Sequence, residues 1–148
     1  MKYRNVLALV AMALAAALMA SAIDFPVDHL QGEIAGEVTH ESVILQTRLT
    51  APAVSVDGDV AGRRGVVRFE IDDDSAFAHP TRTDWLEASP ARDYVVKKKI
   101  NGLKPDVVYY YRIEYGPDRE SAKPGPKRKF RTLPGAERSR KYRLAVTT

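Results

Sequence analysis

The sequence predicts an all-β fold, an antiparallel β-sandwich of about seven strands preceded by a signal peptide. Three observations predict it. Past residue 30 the apolar residues recur with a period of two rather than 3.6. Turn signals interrupt these runs at short intervals: Asp57-Gly58-Asp59, Asn101-Gly102, Pro117-Asp118 and Pro124-Gly125-Pro126. No amphipathic helical pattern occurs after the first 22 residues.

Those first residues have their own logic. Lys2 and Arg4 precede an unbroken apolar run, Val6 to Ala20, and Ala20-Ser21-Ala22 is a small-x-small site followed by Ile23-Asp24. This is the pattern of a secretory signal cut after Ala22. As a helix the run rises about 22 Å, short of a hydrocarbon core of about 30 Å. The expectation is therefore cleavage, leaving no stable membrane span; the alternative is a retained anchor. No Arg-Arg pair precedes the run, which favours general over twin-arginine export. The expected location is exported, periplasmic or extracellular.

The strands follow in order. Ser42–Leu49 places Val43, Leu45, Thr47 and Leu49 on one face. Gly65–Ile71 does the same with Val67, Phe69 and Ile71, and Asp93–Ile100 with Tyr94, Val96 and Ile100. Val107–Tyr115 carries the strongest alternation: Val107, Tyr109, Tyr111, Ile113 and Tyr115 oppose Val108, Tyr110, Arg112 and Glu114. Lys127–Leu133 reads as the last strand, and Glu33–Thr39 and Asp84–Ala88 as weaker ones. Leu103-Lys104-Pro105 ahead of an inward Tyr109 is the spacing of a tyrosine corner, in which the phenol bonds backbone near a turn between sheets. This resembles a fibronectin type III or immunoglobulin-like domain, a fold that says little about function by itself. The division predicted is a signal peptide at 1–22, a β-sandwich domain at 23–135 and a further segment at 136–148.

Composition excludes several chemistries. The chain of 148 residues has no cysteine, so it has no disulfide scaffold, thiolate metal site or thiol nucleophile. Its three histidines, His29, His40 and His79, are too dispersed to suggest a metal cage. Asp72-Asp73-Asp74 lacks the alternating ligands, glycine and closing Glu of a calcium loop and reads as a turn at a strand end. Ser42 has His40 nearby but no orienting third group, so it is not read as a triad nucleophile. The expected site residues are none for catalysis, cofactor or metal. Charge is uneven: residues 23–118 carry 11 Lys/Arg against 17 Asp/Glu, and residues 119–148 carry 10 against 2. The basic end lacks interleaved stacking aromatics, so it reads as a solvated edge and linker rather than a nucleic-acid surface.

Gly32 to Leu49, with Ser42-Val43-Ile44-Leu45-Gln46-Thr47-Arg48-Leu49 at its end, resembles the opening of PhoD-like alkaline phosphatases. In that family a Ser-Gly-Asp-Pro turn precedes a Ser-Val-Val-Leu-Trp-Thr-Arg-Leu strand. Here Gly36-Glu37-Val38 stands for Gly-Asp-Pro and Gln46 replaces the Trp. The similarity continues through Gly102-Leu103-Lys104-Pro105, Tyr109-Tyr110-Tyr111-Arg112 and Phe130-Arg131-Thr132-Leu133-Pro134-Gly135. The resemblance implies an N-terminal sandwich ahead of a metallophosphoesterase domain that binds metals such as calcium and iron and hydrolyses phosphate esters. It also implies that Tyr142–Thr148 is the first strand of that second domain. The family's Asp-x-His, Gly-Asp-x-x-Asp and Gly-Asn-His ligand motifs do not occur here. The expectation is an accessory domain cut before its active site, whose partner is the missing catalytic domain. The alternative is a stand-alone secreted binding module.

Overall fold

Alternation becomes burial directly in the computed structural model of the chain, which describes residues 26–53 and 58–138. The strands are β1 (Glu33–Gly36), β2 (Ser42–Arg48), β3 (Gly65–Asp72), β4 (Thr81–Arg82), β5 (Leu86–Ala88), β6 (Val95–Asn101), β7 (Val108–Gly116), β8 (Lys123–Pro124) and β9 (Arg128–Arg131). All their pairings are antiparallel. One sheet runs β1-β2-β6. The other is centred on β3 and β7, with β4 and β5 along the free edge of β3 and β8 and β9 along that of β7. Among the described residues the nine strands thus occupy seven lines, three in one layer and four in the other.

The core is the layer between the sheets. Val43, Leu45 and Thr47 of β2 meet Val67, Phe69 and Ile71 of β3 and Tyr109, Tyr111, Ile113 and Tyr115 of β7, all buried. Burying such side chains is worth roughly 1.5–3 kcal/mol each. Because the side-chain period is two, a one-residue slip of β7 would turn its whole apolar set to water.

Four elements differ from the sequence expectation. The strand expected at Asp93–Ile100 begins at Val95, because a 3₁₀ turn at Pro90–Arg92 is followed by Asp93 and Tyr94 in left-handed backbone, φ 49° and 59°. Tyr94 instead covers Gly62, where a Cβ would sit 1.9 Å from its ring. The first strand stops at Gly36 because Glu37 is left-handed, φ 48°. The last strand, expected at Lys127–Leu133, is the shorter β9, and a two-residue β8 that the alternation did not show precedes it, Gly125 N–H donating to the Ile113 carbonyl at 2.8 Å between them. The two-residue β4, paired with Glu70 and Ile71, is too short to show a period. The signal segment at 1–22 and the strand read at Tyr142–Thr148 lie outside the described residues.

Register fixes the two ends of the sandwich. The chain comes in beside the end of β2, with Asp28 bridged to Thr50. The opposite pole gathers the β1–β2 loop, the β3–β4 loop, the β6–β7 corner and the chain after β9. There the Lys104 amide donates to the Tyr109 phenol oxygen at 3.0 Å, and Tyr109 is buried. This is the tyrosine corner, with the phenol as acceptor.

Tyr109→Phe should lower stability by about 0.5–1.5 kcal/mol, the range for losing one intramolecular hydrogen bond. Tyr110→Phe, on the outward face of β7, should cost little. Urea midpoints check the pair; equal midpoints would remove the corner's role.

Candidate functional site

The residues with the best claim to chemistry are used by the fold. Asp72 sits at the end of β3. Its Oδ1 accepts from the Asp74 amide at 3.1 Å and its Oδ2 from the His79 amide at 3.1 Å. Asp74 Oδ1 accepts from the Ala76 amide at 2.9 Å, and Asp73 pairs with Lys104 Nζ at 2.9 Å. The triple aspartate is therefore a self-bonded turn. Ser42 Oγ lies 2.8 Å from Thr39 Oγ1, which also accepts from the Ser42 amide at 2.9 Å. His40 points instead toward Glu41, at 3.7 Å. No Ser–His contact forms, and Thr39 closes a loop. Among the described residues no three His, Asp or Glu side chains group as metal ligands.

Two ionic clusters were not visible in the sequence. Glu70 belongs to the outward set of β3, yet its side chain is fully buried. Arg82 Nε reaches its Oε1 and Arg112 Nε its Oε2, both at 2.5 Å. Phe77 closes the site, with the Arg112 guanidinium 4.5 Å from its ring centre and Lys127 also over the ring. Burial pushes the Glu70 carboxyl up, but the hydrogen bonds from Arg112 and Arg82 outweigh it and hold it below the ordinary value. Beside it Arg68 pairs with Glu114 and stacks over Trp85, 4.7 Å from the ring centre.

The second cluster joins the two sheets at their open edge. The Glu33 side chain, on β1, is fully buried, with Oε1 2.8 Å from His29 Nε2 and Oε2 accepting from Arg128 Nε of β9 at 3.1 Å. His29 packs against Tyr115, ring centres 4.4 Å apart. Gly125 covers the pair so closely that a Cβ there would lie 3.2 Å from Glu33 Oε1 and 2.9 Å from Ile113. Burial again raises the carboxyl, and His29 and Arg128 together bring it below its usual range. In both clusters an arginine donates to the buried carboxylate, which stabilises its charge.

The family model for the N-terminal domain of PhoD-like phosphatases matches residues 16–134, from inside the leading apolar segment to the end of the sandwich. The chain belongs to the PhoD-like phosphatase family. Alkaline phosphatase D of Bacillus subtilis (strain 168) is 32% identical over 103 residues, which cover 70% of this chain and 17% of that protein. The solved structure of PhoD superposes with a TM-score of 0.60 at 27% identity, over 76% of this chain and 20% of that one. The chain thus spans about a fifth of the PhoD-like relatives it matches, and what it carries is their N-terminal domain. The Tyr109 corner, Thr39 loop and Asp72 turn all lie within the matched stretch.

The Glu70 cluster gives this PhoD-type domain a defined acid response. A lowered carboxylate contributes fully above about pH 4.3, where the unfolded side chain is ionised, and the contribution is lost as pH falls through the folded value. Glu70→Gln should therefore cost about 1–3 kcal/mol at neutral pH. Its difference from the parent should shrink steadily below about pH 4. Urea midpoints across an acid series check this; a pH-independent difference would show that Glu70 acts through packing alone.

Proposed function

We propose that this chain is the exported, non-catalytic domain of a PhoD-like phosphatase, and that it supports a metallophosphoesterase domain which performs phosphate-ester hydrolysis. The observation that carries the reading is the coincidence of the family match with the whole sandwich, at only about a fifth of its relatives' length. The buried carboxylates Glu33, Glu70 and Asp72 are held by arginine, histidine or backbone donors. These residues do not fit the calcium and iron that the family resemblance implies, so the metals are assigned to the following domain. Lys2, Arg4, the apolar run Val6–Ala20 and the Ala20-Ser21-Ala22 site support export, with maturation at Ile23. Among the described residues no helix is long and apolar enough to cross a membrane.

Two measurements test the proposal. The purified chain should show no phosphomonoesterase or phosphodiesterase activity with added calcium, iron or zinc; turnover that co-purifies with the protein would overturn the non-catalytic assignment. Expressed with its leader in an exporting host, the protein should be recovered outside the cytoplasm with Ile23 at its N-terminus by mass spectrometry. Recovery of an intact Met1 form in the membrane fraction would favour a retained anchor.

A further inference from the structure

We propose that the pole formed by the β1–β2 loop (37–41), the β3–β4 loop (73–80), the β6–β7 corner (102–107) and Leu133 is the seat of the domain that follows residue 138. The proposal rests on the reading that a metallophosphoesterase domain follows, and says where it docks.

The first argument is the exit of the chain. Thr132 is buried beyond β9, its Oγ1 donating to the Lys104 carbonyl at 2.7 Å and accepting from the Val107 amide at 3.0 Å. Leu133 N–H donates to the Thr39 carbonyl at 3.0 Å, and the Leu133 carbonyl accepts from Asp106 N–H at 3.0 Å. The chain is therefore clamped between two loops of this pole at the point where it leaves. Leu133 still exposes 41% of its surface, although it is held on both sides by backbone bonds.

The second argument is reach. The next domain's first strand is read at Tyr142, nine residues past Leu133, a span of about 30 Å if fully extended. The nine residues of β7 run about 30 Å from one pole to the other. Gly135–Arg138 consumes part of that reach in a turn, Arg138 N–H donating to the Gly135 carbonyl at 3.0 Å. A tether of this length keeps the start of the following domain nearer this pole than the far one.

The third argument is the surface itself. Its loops are exposed but fixed, by the Thr39 hydroxyl, the Asp72 turn, the Tyr109 corner, the Lys104–Asp73 pair and a Leu103 N–H to Glu41 carbonyl bond of 3.0 Å. Preorganised loops lose little entropy on docking. Between them lies a cleft of about 240 Å³ lined by Ile71, Asp72, His79, Ile100, Asn101 and Leu103. The pole carries Glu37, Glu41 and Asp74, and the tether that leaves it carries Arg138, Arg140 and Lys141, a complementary pair of signs. The outward face of β3 and β7 offers no comparable opportunity, since its charges already pair with one another.

The absence of cysteine from the chain makes the test direct. Single cysteines at exposed positions, His40→Cys and Ala78→Cys on this pole, Arg119→Cys on the opposite pole and Ile34→Cys on the flat face of β1, are placed in two backgrounds. One is this chain alone. The other is a hybrid in which this chain replaces the matching N-terminal segment of the Bacillus subtilis alkaline phosphatase D. Thiol alkylation located by mass spectrometry should slow about tenfold or more at His40 and Ala78 in the hybrid, as burial in a standard-size interface requires. It should change less than about twofold at Arg119 and Ile34. Slowing at Arg119 or Ile34 instead would overturn the assigned pole and leave the two-domain reading standing. No slowing at any of the four positions would likewise overturn docking at this pole and leave the two-domain reading standing.

Discussion

The Lys104 N–H to Tyr109 phenol bond closes the crossing from β6 to β7, between the two sheets, and much of the structure depends on that crossing. β6 ends at Asn101 in one layer and β7 begins at Val108 in the other. Gly102, at φ 76°, and Asp106, at φ 57°, supply the left-handed backbone the reversal needs. Once Tyr109 is pinned, the parity of β7 is set. Tyr111, Ile113 and Tyr115 must then face inward, and the pairing of β7 with β3 follows, Tyr111 opposite Ile71 and Ile113 opposite Phe69. The Thr132 hydroxyl extends the same knot by binding both Lys104 and Val107, so the last strand is locked to the corner that starts the strand beside it.

Where a strand buries one whole face, the sequence is enough to find it. β2, β3 and β7 lie within a residue of the boundaries read from alternation, and their inward residues are those expected. The misreadings have a common cause, a local conformation or a distant partner that period-two reasoning does not contain. Tyr94 keeps the parity of a strand residue, yet it sits at φ 59° because its ring is needed over Gly62. Glu70 keeps the parity of a solvent-facing residue, yet it is buried because Arg82, Arg112 and Phe77 roof it. Glu33 meets Arg128 from 95 positions away. Nothing in the neighbourhood of either glutamate announces such a partner. Tyr109 was legible for the opposite reason: its partner is five residues back, and the Leu-x-Pro spacing marks it.

The uneven charge of the chain acquires a meaning in three dimensions. The described part of the basic stretch that begins at Arg119 folds along the edge of β7, against carboxylates and carbonyls from the acidic part before it. Arg128 reaches Glu33, Arg131 reaches Asp106, and Lys127 reaches the Ser75 carbonyl. Lys123 lies over the ring of Tyr115, 5.3 Å from its centre. Four of these cations thus serve as staples between the β8–β9 edge and the rest of the sandwich. Those contacts also protect an edge strand that would otherwise offer free backbone groups to another chain.

The same economy of charge bears on what these carboxylates could bind. A metal site needs carboxylates and imidazoles that converge with lone pairs free and protons absent. In this sandwich Glu70 and Glu33 converge instead on arginines, and both Asp72 oxygens accept backbone amides. Burial raises the Glu70 and Glu33 carboxyls, but the partners beside them hold both toward the anionic form, while backbone amides occupy both Asp72 oxygens. The interior therefore gains rigidity from groups that elsewhere could do chemistry. That rigidity is concentrated between the corner, the Asp72 turn and the Thr39 loop, next to where the chain departs. A fold that holds its exit so firmly fixes the direction in which the chain leaves the sandwich.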